Sequence, residues 1–327
     1  MNSDYRVVLV HRDRYLVRKE EKELYCTLTG SLRYRDEFPV VGDYVEVIEN
    51  PYGDSLIQTV NPRKTVFCRP DRRGHADNFA KTLLVQPLVA NIDAVFIITS
   101  LNQDFSLGRI ARYASMAVSG GAEPVAVLTK ADLCPNPVEM EEKVASLSRD
   151  IKVITISAYT GYGMDRLREY LKPGLTIALL GSSGAGKSTL INTLAGREIM
   201  NTGEIREVDS KGRHTTTHRE LIELNGISLI DTPGLRELGI IDAEEGIAGT
   251  FSDIADLISQ CAFSDCTHRN EPGCAVRQAL EDGTLSLNRW ETFSRLEKEN
   301  NWSKARKNEM MMNVAMERRK LSRSRRR

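Results

Sequence analysis

From Tyr5 to about Arg69 the apolar residues come in short alternating runs: YRVVLV, YLVRK, ELYCTLT, DYVEVIEN and SLIQTV. Turn residues such as Asn50-Pro51 and Gly53-Asp54 separate them. Alternation of this kind puts every second side chain on one face of a strand, so each run predicts a half-buried strand. About five short strands in this space predict a small barrel. An OB-fold is the first reading, and an SH3-like barrel fits nearly as well. Pro70 to about Phe79 is polar and basic and reads as a linker.

The rhythm then changes. Apolar strands are expected at Ala94–Thr99, Pro124–Leu128, Ile151–Ile156 and Leu175–Leu180, with helical patterns at Leu107–Val118, Val138–Ser148 and Met164–Leu171 between them. Strands alternating with helices predict a parallel sheet covered on both faces. Leu221–Leu224, an Asn225-Gly226 turn and Ile227–Ile230 predict a hairpin. From roughly Glu244 onward the chain reads as helices around a cysteine cluster. The expected organisation is a barrel over 1–72, an α/β domain over 73–240, a helical domain over 241–300 and a basic tail over 301–327.

Composition adds little to this outline. Hydrophobic residues make up 41% and charged residues 28%, ordinary for a chain able to bury sizeable cores. Lys plus Arg and Asp plus Glu are equal at 45 each, so overall charge argues for no polyanionic partner. No run approaches the roughly 18 apolar residues of a membrane span, and the opening residues lack the apolar stretch of a secretory signal. A cytoplasmic protein with no membrane partner is expected, and a monomer is the expected state.

Chemistry concentrates in a few stretches. Gly181, Ser182, Ser183, Gly184, Ala185, Gly186, Lys187 and Ser188 fit G-x-x-x-x-G-K-[ST], directly after the apolar run LTIALL and before STLINTLAG, which opens with Ser188 and Thr189. Such a loop wraps a phosphate with backbone N–H groups, Lys187 reaches the β- and γ-phosphates, and Ser188 offers a hydroxyl to Mg²⁺. Asp231-Thr-Pro-Gly234 ends the hairpin, where Asp231 would serve Mg²⁺ and Gly234 lie near the γ-phosphate. Between them, Lys211-Gly-Arg-His214-Thr215-Thr216-Thr217 offers three hydroxyls as sensors of Mg²⁺ and the γ-phosphate; Thr217 enters the candidate catalytic set with Lys187.

Guanine differs from adenine by an N1–H and an exocyclic amine, which one carboxylate accepts together, and by O6, which takes a backbone N–H. Thr129-Lys130-Ala131-Asp132 follows the strand PVAVL, and Ser157-Ala158 ends the next strand. They resemble the [NT]-K-x-D and S-A elements of GTPases, with Asp132 reading the base. In ordinary GTPases the phosphate loop precedes the base reader. Here the order is reversed, so the same sheet must be entered at a different strand: a circular permutation. The segment after Gly234 then runs straight into the C-terminal domain.

Cys261-x4-Cys266-x-His268-x5-Cys274 places three thiols and an imidazole close together, a full tetrahedral set for zinc with no position left for water. A structural Zn²⁺ is expected.

The permuted order, the zinc cluster and the barrel together resemble the RsgA (YjeQ/YloQ) family of small-ribosomal-subunit-dependent GTPases. The resemblance runs from VVGDYVEV through KGRHTTT and DTPG to CAFSDCTHRNEPGCAV. It implies an OB-fold that touches ribosomal RNA, a permuted GTPase domain, and a zinc domain that docks on the small subunit late in its assembly. Leu235 stands where many GTPases carry a water-orienting glutamine, so slow intrinsic hydrolysis is expected. The histidine of the family motif, His214, is then the candidate for positioning water. Thr129 stands where the family more often has asparagine, with weaker hydrogen bonding between loops around the base as the expected consequence.

The C-terminal end carries Lys304, Arg306, Lys307, Arg318, Arg319, Lys320, Arg323, Arg325, Arg326 and Arg327 against Glu309 and Glu317, which suits a phosphate backbone. Tyr5, Tyr15, Tyr25, Tyr34, Tyr44 and Tyr52 are candidates for stacking on unpaired bases. Two alternatives remain beside an RNA-stimulated GTPase: a nucleotide-gated RNA-binding module with incidental hydrolysis, and a P-loop ATPase, which requires that Asp132 read no base.

Overall fold

The computed structural model of the 327-residue chain describes residues 4–11, 13–35, 37–70, 85–102, 105–148, 150–200, 220–231, 243–302 and 304–305. His214, Thr215 to Thr217, Gly234, Leu235 and the tail beyond residue 305 lie outside these residues.

Strands β1 (Tyr5–Val10), β2 (Tyr15–Lys19), β3 (Lys22–Leu28), β4 (Tyr44–Ile48) and β5 (Ser55–Val60) form the predicted barrel, with a short helix α1 (Gly30–Tyr34) between β3 and β4. The ring closes in the order β1-β2-β3-β5-β4-β1, with β3 and β5 parallel and the other pairs antiparallel. This closed five-strand Greek key is an OB-fold, which decides against the SH3-like alternative. Every second residue of β1 and β2 points inward: Tyr5, Val7, Tyr15 and Val17 pack with Cys26, Val45 and Ile57. The helix α1 escapes a sequence reading because GSLRY carries one apolar anchor, Leu32, which is fully buried. The barrel's tyrosines separate cleanly. Tyr5 and Tyr15 fill the core, whereas Tyr25, Tyr34 and Tyr52 are exposed, and Tyr44 lies beneath the Arg6 guanidinium.

Two strands were not foreseen. β6 (Val66–Pro70) pairs antiparallel with β7 (Val85–Ala90), so Pro70 ends a strand and does not begin a linker; residues 71–79 of that expected linker lie outside the described residues. Pro87 disguises β7, because proline within an apolar run argues against an interior strand, and among the described residues β7 pairs with β6 and otherwise meets one bridge from Val41 to Val89.

The central domain contains β8 (Ala94–Ser100), α2 (Leu107–Ser119), β9 (Glu123–Thr129), α3 (Pro137–Ala145), β10 (Lys152–Thr155), α4 (Met164–Tyr170), β11 (Thr176–Gly181), α5 (Lys187–Ala195), β12 (Glu220–Leu224) and β13 (Ile227–Asp231). Its strands lie in the order β10-β9-β8-β11-β13-β12, all parallel except β12, which hairpins against β13. Asn225 and Gly226 both take positive φ in that turn, as the Asn-Gly pair predicts. Burial on both faces explains the unbroken apolar run of β8. Val95 and Ile97 face one core with Ile110 and Ala114 of α2. Phe96 and Ile98 face the other with Leu167 of α4 and Leu190 of α5.

Beyond the sheet follow α6 (Glu244–Thr250), α7 (Ser252–Ser259), α8 (Ala275–Glu281) and α9 (residues 287–302). α6 packs on α2, with the backbone of Gly246 against Ser115 and Ser119. Arg289 of α9 donates to Asp253 and to the carbonyl oxygens of Leu147 and Thr250, and Arg112 of α2 pairs with Glu299 at 2.7 Å. Lys304 is paired with Glu244. Among the described residues no helix is long and apolar enough to cross a membrane.

The barrel meets the central domain along β1. Its outward-facing Val8 is buried in the same core as Leu221 and Ile230 of the β12–β13 hairpin. Beside it Gly42, at φ +94°, donates its N–H to Val7 O at 2.9 Å, and its carbonyl accepts from Asn91. A Cβ at Gly42 would stand 2.1 Å from the carbonyl oxygen of Ala90. Both strain and overlap oppose any side chain, so Gly42→Ala is expected to destabilise the chain by about 2–4 kcal/mol. Gly53→Ala, whose Cβ would meet only Asn50 Nδ2 at 3.5 Å, should change stability by less than about 0.5 kcal/mol. Urea unfolding midpoints of the two variants test the contrast.

Candidate nucleotide and metal sites

Because β8, β9, β10, β11 and β13 run parallel, their C-terminal ends share one edge of the sheet, and the loops leaving them share one crevice. In open α/β sheets ligands bind there. The phosphate-loop candidate leaves β11 and enters α5. Gly184 and Gly186 take φ of +75° and +92°, values that only glycine adopts without strain. Ala185 between them is buried, while Ser183, Gly184 and Thr189 are exposed. Lys187 Nζ lies back over the loop, donating to the carbonyl oxygens of Gly181 at 2.9 Å and Ser182 at 2.8 Å. The ammonium is thereby held across the mouth of the loop, with Ser188 in the first turn of α5. The N–H groups of a helix start and this ammonium make the spot cationic.

The base-reader candidate leaves β9. Thr129 is buried, and its Oγ1 donates to Ala185 O of the phosphate loop at 2.7 Å. The loop-to-loop hydrogen bond that a threonine was expected to weaken is therefore made. Lys130 turns the chain at φ +60°, and Ala131, whose N–H donates to Ile156 O, opens a single 3₁₀ turn that carries Asp132. Ser157 comes from the end of β10. It is fully buried, and its hydroxyl donates to Asp132 Oδ1 at 2.5 Å while accepting from Thr160 N–H. The resemblance of Ser157-Ala158 to an S-A element did not foretell this side-chain role. A strand-end serine facing a strand-end aspartate on the neighbouring strand was the available signal. Asp231 ends β13 level with Leu179 of β11, close in register to the start of the phosphate loop.

The structure thus brings Thr129, Lys130, Ala131, Asp132, Ser157 and Ala158 to the same edge as Gly181 to Thr189 and Asp231. The base-reader candidates precede the phosphate loop in the chain and meet it through space, not along the chain.

The metal candidates also converge. One ligand atom from each of Cys261, Cys266, His268 and Cys274 lies within 4.8 Å of the others. His268 Nδ1 is 3.6 Å from Cys261 Sγ and 3.6 Å from Cys274 Sγ. Tetrahedral zinc, with Zn–S near 2.3 Å and Zn–N near 2.1 Å, sets sulfur and nitrogen vertices about 3.6 Å apart, so the donors fit the ion. His268 takes φ +60° to turn inward, and Trp290 meets its ring edge-on at 5.5 Å. Cys274 caps α8, accepting from Arg277 N–H. Burial raises the Cys261 thiol's pKa, but hydrogen bonds from the N–H groups of Val276 and Ala275 at the same helix start and from the neighbouring Cys266 and Cys274 thiols together bring it below its ordinary value. Glu271 braces the loop, accepting from the N–H groups of Thr267, Arg269 and Asn270 and from the Thr267 hydroxyl. These bonds hold its carboxyl at about 2.

Comparison with known proteins agrees with this geometry. The family model described as RsgA GTPase matches residues 60–241. The chain is 45% identical over 311 residues to the small ribosomal subunit biogenesis GTPase RsgA of Opitutus terrae, covering 90% of this chain and 82% of that protein. It is 44% identical to the protein of the same name from Methanosarcina acetivorans, covering 82% of this chain and 72% of that one. Among solved structures, YjeQ from Thermotoga maritima superposes with a TM-score of 0.67 at 28% identity, covering 90% of this chain and 96% of that chain. YloQ, described as a circularly permuted GTPase, superposes with a TM-score of 0.64 at 25% identity, covering 92% and 96%. With a family model over more than half its length and relatives aligned over nine-tenths of it, this chain belongs to the RsgA GTPase family.

Proposed function

We propose that this GTPase binds guanine nucleotide between the Asp132 and Lys187 loops and hydrolyses it as a checkpoint on the small ribosomal subunit, with the subunit accelerating turnover. The observation that carries the reading is the bond from Thr129 to Ala185, which ties the base-reading loop to the phosphate loop although the chain visits them in reversed order. Asp132, steadied by Ser157, accepts from the guanine N1–H and amine; Lys130 packs along the base plane; the backbone of Ser157 and Ala158 faces O6.

Gly181 to Thr189 cradle the phosphates, and Lys187 exchanges its two carbonyl partners for β- and γ-phosphate oxygens. Ser188 and Asp231 would hold Mg²⁺, whose charge, when bound, offsets the charge that develops on the phosphate oxygens. Gly234 donates its N–H near the γ-phosphate. Leu235 cannot orient water, which supports slow basal turnover. His214 and Thr217, from the KGRHTTT stretch, supply the water-positioning group and a hydroxyl on the γ-phosphate side. The relatives' names point to the small subunit as partner, and the exposed Tyr25, Tyr34 and Tyr52 together with the basic end support contact with its rRNA. The zinc is structural, and the protein works as a monomer in the cytoplasm.

Purified small subunits should raise the GTP turnover rate by about 10-fold or more; an unchanged rate would leave the nucleotide-gated RNA-binding module as the better account. Asp132→Asn should shift preference from guanine toward xanthine nucleotides, since the amide can donate where the carboxylate only accepts. Competition binding measures this, and unaltered preference for GTP over XTP would return the ATPase reading. Cys266→Ser should lower bound zinc well below the one ion per chain of the parent and lower the thermal midpoint. Metal analysis of the purified protein with an unfolding scan is the check.

A further inference from the structure

We propose that Arg6 is a positioning residue through which the barrel sets the strands that carry the nucleotide loops. This rests on the reading above that the subunit stimulates the site. Along β1, Tyr5 and Val7 point into the barrel, and Arg6 and Val8 point out toward the central domain. Val8 meets that domain as an apolar contact. Arg6 does something different. Its Nη1 donates to Ser228 Oγ of β13 at 3.0 Å and its Nη2 to Thr176 Oγ1 of β11 at 2.7 Å. One guanidinium therefore spans the strand that ends in the phosphate loop and the strand that ends in Asp231.

Adhesion alone does not account for a cation here. The acceptors are two neutral hydroxyls, and Arg6 Nε is shut off from solvent with no partner. Desolvation lowers the guanidinium's pKa, against opposing contributions from Tyr44, Asp93 and Glu223. A second apolar residue like Val8 would close the seam without that cost. What the fork geometry of arginine adds is a fixed spacing between two acceptors on two neighbouring strands. The Tyr44 ring, 5.2 Å from its carbon, and Asp93, which accepts from Thr176 N–H at 2.8 Å, hold both ends of the arrangement.

The register of the sheet carries the link to the site. Leu9 of β1 pairs with Glu220 of β12, Glu220 with Asp231 of β13, and Asp231 with Leu179 of β11. A single rung thus runs from the barrel, through Glu220, which follows the KGRHTTT stretch by three positions, to Asp231 and the phosphate-loop strand. Arg18 of β2 adds a contact to the same hairpin, 3.5 Å from Glu223. A load on the barrel is transmitted to β13 relative to β11, and so to Asp231 relative to Ser188.

The test uses the full chain. Arg6→Met, which keeps the aliphatic stem, should leave basal GTP turnover and the subunit concentration for half-stimulation within about twofold, while lowering the fully stimulated kcat about 10-fold. Arg6→Lys should fall between. The double variant Thr176→Val with Ser228→Ala should reproduce the loss, and adding Arg6→Met to it should cost nothing further, because the double variant and Arg6→Met remove the same two hydrogen bonds. Stimulation of Arg6→Met equal to the parent's, a change confined to half-stimulation, or additive losses would each overturn the proposal. If Arg6→Met does not fold, the double variant decides alone. A parent chain that subunits do not stimulate overturns the preceding function and this inference with it; a stimulated parent with an equally stimulated variant overturns only this inference.

Discussion

Parallel pairing of β9, β8 and β11 is the constraint on which the site depends. Parallel strands present all their C-terminal ends on one edge, whatever order the chain takes through them. The loop after β9 and the loop after β11 are separated by one intervening strand, close enough for Thr129 to donate to Ala185. That buried bond is made in a setting where either group left alone would be costly, so it fixes the spacing between the two loops. In the proposed function that spacing sets the loop for the base apart from the loop for the phosphates. Circular permutation changes which loops are covalently continuous and leaves this edge untouched.

Permutation does change what hangs from the sheet. β12 and β13 lie at the far side from β10, and the barrel takes its place beside them through β1, with Val8 in the shared core and Gly42 pressed against Ala90. The chain leaving Asp231 leads to α6, which packs on α2, and the helical domain closes over the same face through Arg289 and the Arg112–Glu299 pair. The barrel and the helical domain thus both bear on the central sheet, each through contacts that combine apolar burial with arginine hydrogen bonds. The helical domain has few apolar residues of its own in the loop where the ligand atoms of Cys261, Cys266, His268 and Cys274 converge and Glu271 ties down the backbone.

Much of this was legible in the residues. The strands β8, β9 and β11 announced themselves because burial on both faces demands continuous apolar runs, and the hairpin because Asn225-Gly226 suits one turn type. The strand β7 and helix α1 did not, since Pro87 breaks the pattern of one and a single leucine anchors the other. The barrel's class stayed open between two architectures because strand composition reports burial, not which strand neighbours which. Only the parallel β3–β5 pair and closure of β4 on β1 decided it. Within the candidate sites, Asp132, Lys187 and the cysteine–histidine cluster stood out as residue types at telling spacings. The side-chain bonds of Thr129 and Ser157 did not, because their partners lie 56 and 25 residues away in the chain.

What the sequence by itself determined is the inventory: two nucleotide motifs in reversed order, four metal donors within one short segment, and the kind of domain each stretch could build. These follow from local chemistry, because a phosphate loop or a zinc cluster is defined by neighbours along the chain. Tertiary structure alone decided the relations between them: that Thr129 reaches Ala185, that Ser157 steadies Asp132, and that Arg6 bridges Thr176 and Ser228 at separations of 170 and 222 residues. Such contacts depend on strand order and register, and hydrophobic periodicity carries no information about either.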